Sequence, residues 1–98
     1  MELDTDLKYL LLWNTLRDAW EQAANGKGKE RHQKADEPFE DQPICAFARR
    51  VGLGYPLGQA MKKIDEAFRM EPEAAVREIL GAINYLAAAV IVLREGIE

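Results

Sequence analysis

The run Gly81-Ala-Ile-Asn-Tyr-Leu-Ala-Ala-Ala-Val-Ile-Val-Leu93 constrains this chain more than any other segment. Read as a helix, it is apolar on nearly every side. A small water-soluble domain covers such a helix by surrounding it with neighbours or by pairing it with a second copy. The run is shorter than the about 20 apolar residues of a membrane span, and Glu73, Arg77, Glu78, Arg94 and Glu95 flank it with charge, which argues against a membrane role. With 98 residues the chain makes one domain, 1–98, and its single cysteine, Cys45, allows no intrachain disulfide. Self-association is then the expected way to hide surplus apolar surface, as a homodimer with the last helix central.

The remaining periodicity is helical throughout. Asp4 or Thr5 can cap a first helix that runs to about Ala24 and stops at Asn25-Gly26. Tyr9, Leu12, Trp13, Leu16, Trp20 and Ala23 share one broad face of it. Leu7, Leu10 and Leu11 point elsewhere and are candidates for the interface. Pro43 opens a short helix that ends at Gly52, and Gly52-Leu-Gly-Tyr-Pro56 reads as a turn. The third helix, roughly 57–69, is amphipathic. Leu57, Ala60, Met61, Ile64, Ala67 and Phe68 are expected to face inward, with Lys62–Glu66 and Asp65–Arg69 pairing on the wet side. Pro72 starts a fourth helix that runs to about Arg94, with Gly96 past its end. On it, Val76, Ile79, Ile83, Leu86, Val90 and Leu93 form one face. Ala74, Gly81 and Ala88 lie in register opposite, with Tyr85 and Val92 beside them, and these small residues would admit a partner helix. The fold class is therefore all-α: a bundle of three long helices and one short one.

Residues 26–42 form the one long stretch without periodicity, and loops of that length are usually functional or mobile. Lys27, Lys29, Arg31 and His32, set among glycines, could hold a phosphate. The spacing is not that of a P-loop, and a solvated linker explains it as well. Glu37, Glu40 and Asp41 with Glu71, Glu73 or Glu78 could contribute to a magnesium site, because magnesium takes hard carboxylate oxygens. Scattered carboxylates are more often solvated charge and helix caps. His32 is the sole histidine and the chain has no serine, so a histidine metal cage and a serine nucleophile are excluded. Cys45, beside Ile44 and Phe47, reads as a buried structural thiol. Asn84 sits inside the apolar run, where an unpaired amide would cost about 1–3 kcal/mol. It pairs with a backbone or side-chain group, fixes the register of a helix contact, or touches a polar ligand; register has the best precedent.

Several segments resemble small proteins of phages and prophages: Gly26-Lys-Gly-Lys-Glu-Arg-His32, Glu37-Pro-Phe-Glu-Asp-Gln-Pro-Ile44, Leu57-Gly-Gln-Ala-Met-Lys-Lys63 and Glu78-Ile-Leu-Gly-Ala-Ile-Asn-Tyr85. The last segment also resembles the metal-binding helix of all-α nucleoside triphosphate pyrophosphohydrolases of the MazG type, whose motif there runs Glu-Glu-Leu-Gly-Asp. Glu78 is kept, while Ile79 and Ala82 stand where the ligating Glu and Asp would be. Glu37-Pro-Phe-Glu40 matches that family's Glu-x-x-Glu pair in form, but around a proline. This resemblance implies a dimeric helical fold with magnesium catalysis lost or rebuilt.

A net charge of −4 argues against bulk attraction to nucleic acid. The acidic opening Met1-Glu-Leu-Asp lacks the basic and apolar regions of a signal peptide, so a cytoplasmic location is expected. The leading expectation is a non-enzymatic accessory or regulatory protein without a cofactor, binding itself and a host or phage protein. The alternative is a magnesium-dependent nucleotide pyrophosphohydrolase or nucleotide binder. It would use Glu37, Glu40, Asp41 and Glu78 for the cation, and Lys27, Lys29 and Arg31 for phosphate.

Overall fold

The computed structural model describes residues 7–25 and 37–96. Asp4, Thr5, Lys27, Lys29, Arg31 and His32 lie outside the described residues, so the cap and the phosphate site read from them have no structural account. Four α-helices account for most of the rest, and the described residues contain no strand. A 3-10 turn, Leu7–Tyr9, leads into α1, Leu10–Asn25. A second 3-10 turn, Phe39–Asp41, precedes α2, Pro43–Val51. Then come α3, Gly54–Ala67, and α4, Pro72–Arg94.

The helix ends follow from local chemistry. Gln42 is extended, and its carbonyl accepts from the N–H of Cys45 at 3.0 Å and of Ala46 at 2.9 Å. Pro43 follows as the first helical residue, where the missing N–H costs nothing. Gly52 ends α2 at φ 97°, a left-handed conformation that suits glycine, and its N–H donates to the Ala48 carbonyl at 2.9 Å. Gly96 ends α4 in the same way at φ 80°. The expected turn over 52–56 is shorter than its composition suggests, because α3 begins at Gly54. Pro56 lies in the first turn of α3, among the helix N–H groups that have no intrahelical partner, so it does not interrupt the helix.

α4 is the central element, as expected. α3 packs along it most extensively, with α1 and α2 against its other flanks. The core is made of small side chains. Cys45 and Ala48 of α2 meet Ala88 and Val92 of α4, edged by Phe39, Ile44, Leu53 and Ile91. Ala19, Ala60, Ala82 and Ala89 complete the buried apolar residues. Edge-to-face rings then link three helices: Phe47 of α2 to Tyr55 of α3 at 5.7 Å, and Tyr55 to Tyr85 of α4 at 6.0 Å.

Two packing expectations are corrected here. On α3, Ala60 is buried, but Leu57, Met61, Ile64 and Phe68 are exposed, Phe68 by 85%. On α4 the small stripe faces into the chain: Gly81, Ala88 and Val92 are buried, and Val76, Ile79, Leu86, Val90 and Leu93 are exposed. A helix approaches another most closely over small side chains, so the bundle uses the Gly/Ala side of α4 internally. The membrane argument also changes. The apolar run is too short, but the whole of α4 is long and apolar enough, by length and composition, to cross a membrane. Three helices nevertheless pack along it.

Candidate binding surface

Residues of α1, α4 and the 37–42 segment line a groove of about 510 Å³. That is within the range of ordinary ligand pockets. Leu16, Trp20 and Ala23 of α1 line it, with Ile83, Ala87 and Ile91 of α4 and Phe39 of the 3-10 turn. Alanines stand on both helices that line it, Ala19, Ala23 and Ala24 of α1 and Ala87 of α4. Its polar atoms are few. Asn84 Nδ2 donates to the Ala19 carbonyl at 3.0 Å, locking α1 onto α4, and Gln42 Nε2 donates to the Glu37 carbonyl at 3.0 Å. Asn84 thus sets the register of a helix pair within the chain.

Many large apolar residues of α1 and of the turn before it are exposed. Leu16 and Trp20 are exposed on α1, as are Leu7, Tyr9, Leu10, Leu11 and Leu12. Ile83 lines the groove and also belongs to the stripe of α4 that runs from Val76 to Leu93. Of the residues read as interface candidates, Leu7, Leu10 and Leu11 are on the surface. Gly81, Ala88 and Val92 are covered within the chain, Asn84 is half-buried against α1, and Tyr85 is half-buried against Tyr55.

The charged groups do not gather into a reactive centre. Glu37 lines the groove on the α1 flank of α4. Glu78 lies on the α3 flank, with its Oε1 3.6 Å from Lys63 Nζ. Glu40 and Asp41 are exposed on the 3-10 turn. The four carboxylates of the magnesium reading therefore do not converge, and among the described residues no group of three or more His, Cys, Asp or Glu could hold a metal ion. Lys63 also lies 5.9 Å from the Tyr85 ring centroid, and its aliphatic stem passes over Gly81.

The groups with displaced titration lie away from the groove. Burial pushes the Cys45 thiol up, which makes its thiolate scarce at neutral pH. Tyr85 is pushed up to about 12 by burial and by a hydrogen bond with Tyr55. Arg49 makes a two-pronged contact with Glu95, Nε to Oε1 at 2.7 Å and Nη2 to Oε2 at 2.8 Å, and its Nη2 also donates to the Glu40 carbonyl at 2.6 Å. This clamp joins the 37–42 segment, α2 and the end of α4, and it holds the Glu95 carboxyl below its usual range. It is a structural tie between half-buried Arg49 and exposed Glu95. Neither the clamp nor the groove is legible in the sequence, because both depend on residues far apart in the chain. No family model, no curated protein and no solved structure matches this chain.

Proposed function

We propose that this protein is a non-enzymatic accessory or regulatory factor that works by protein–protein binding as a homo-oligomer. One observation carries the reading. Among the described residues nineteen large apolar side chains are exposed, while the buried apolar core consists of alanines, Cys45 and Val92. So much exposed apolar surface on a small domain points to an interaction site. The groove adds shape to that surface, and its lining offers apolar contact with a few hydrogen-bonding groups and no nucleophile. The resemblance to phage and prophage proteins supplies the accessory role. A reducing, cytoplasmic setting suits the free thiol of Cys45.

Light scattering across the micromolar range tests the proposal. A mass of at least twice the 11.1 kDa chain is expected. A homogeneous single-chain mass at every concentration would overturn self-association. The magnesium pyrophosphohydrolase reading has no observation in its favour among the described residues, since its carboxylates lie on opposite flanks of α4.

A further inference from the structure

We propose that Val76, Ile79, Ile83, Leu86, Val90 and Leu93 form the seam along which two copies of this chain pair, α4 against α4. The inference rests on the self-association reading and names its surface. Spacings of three and four alternate along the whole helix, the heptad pattern that keeps one side turned toward a partner helix. Packing within the chain does not require it. The buried positions of α4, Gly81, Ala82, Ala88, Ala89 and Val92, lie on another side. Val76, Ile83 and Val90 are β-branched, and the positions alternating with them hold leucine twice, Leu86 and Leu93, and Ile79 once. β-Branched residues alternating with leucine favour two-stranded pairing, and the last two repeats follow that pattern.

No charged residue interrupts the stripe over its length of about 26 Å, taking 1.5 Å per residue. Outside the described residues the large apolar side chains are Met1, Leu3 and Ile97 alone, spread over separate segments. A stable interface takes about 800 Å² from each partner. The stripe contributes through half-exposed side chains, Leu86 at 44% and Val90 at 45%, and continues through Ile83 toward Leu16 and Trp20. A second copy brings the same stripe, so the surface is complementary to itself. A lipid core fits less well. Along its other flanks α4 carries the Lys63–Glu78 pair and the Gln22 amide, whose Nε2 donates to the Arg77 carbonyl at 3.2 Å.

Light scattering on the full chain and its variants, with circular dichroism on each, is the experiment. Wild type should give twice the single-chain mass. Leu86→Glu and Val90→Lys, both at positions exposed in the single chain, should give the single-chain mass with helix content kept. Val51→Glu, exposed on α2, should stay dimeric. Should a charged variant unfold, the double variant Leu86→Ala, Val90→Ala, which keeps good helix formers, should weaken dimerisation at least about tenfold. A wild-type dimer that neither the charged nor the alanine variants weaken would overturn the seam and leave self-association standing. A wild-type monomer would overturn both. Flotation of the wild type with phosphatidylcholine vesicles would assign the stripe to lipid, and so would also overturn the seam.

Discussion

Gly81 shows how one missing carbon positions a helix pair. A Cβ there would stand 3.2 Å from Lys63 Cδ and Cε and 3.4 Å from Gln22 Nε2. The tight neighbour is a flexible stem, and alanine is favoured over glycine in a helix by about 0.5–1 kcal/mol. Gly81→Ala is therefore expected to be neutral or to raise stability by up to about 1 kcal/mol, as measured by urea unfolding at fixed concentration. Gly81→Leu overfills the same contact and should cost about 1–3 kcal/mol. Its effect is on the fold of each chain, because Gly81 is already covered. Asn84 offers a sharper contrast. Asn84→Ala loses one half-buried hydrogen bond, worth about 1 kcal/mol. Asn84→Asp sets a carboxylate against the Ala19 carbonyl and should cost more. Equal losses for the two variants would mean that the 3.0 Å contact contributes little.

At the scale of elements, the ring ladder joining α2, α3 and α4 makes stability depend on alkaline pH. The folded state holds the Tyr85 phenol at about 12, above its ordinary value of 10. Folding thus favours the protonated phenol. Its contribution is complete below pH 10 and is lost as pH rises toward about 12. Urea midpoints measured from neutral pH through that range should fall more steeply for wild type than for Tyr85→Phe. Parallel curves would remove Tyr85 as the cause. Much of the element layout was legible in the sequence. Pro43, Gly52, Pro72 and Gly96 punctuate the chain through properties of their own backbone, and the structure uses each as read. Pro56 misled because proline fits a first helical turn as well as it fits a loop. Facing was the harder inference. Periodicity shows that Leu57, Met61, Ile64 and Phe68 share a side of α3, but it cannot tell whether that side meets its own chain or another. On α4 both sides are apolar. What decides the inward side is how closely small residues let helices approach, which depends on partners distant in sequence. The groove was hidden for the same reason, since Leu16 and Trp20 meet Ile83 and Ile91 only after the chain has folded.

For the molecule as a whole, an alanine-rich core and an apolar exterior divide stability between the chain and its assembly. Burying a large aliphatic side chain contributes about 1.5–3 kcal/mol, and on α4 such side chains lie mainly outside the core. Burial between copies would add to stability only while the copies are associated. The thermal midpoint should then depend on concentration. Each tenfold dilution reduces the stability of the associated state relative to separate chains by about 1.4 kcal/mol per dimer. Melting curves recorded over a hundredfold dilution should shift steadily to lower temperature. The shift should be absent in Leu86→Glu, whose midpoint should lie at or below that of the most dilute wild type. A wild-type midpoint that stays constant on dilution, with a single-chain mass at every concentration, would mean that the small core alone stabilises the fold. The exposed stripe would then have to be explained without a second copy.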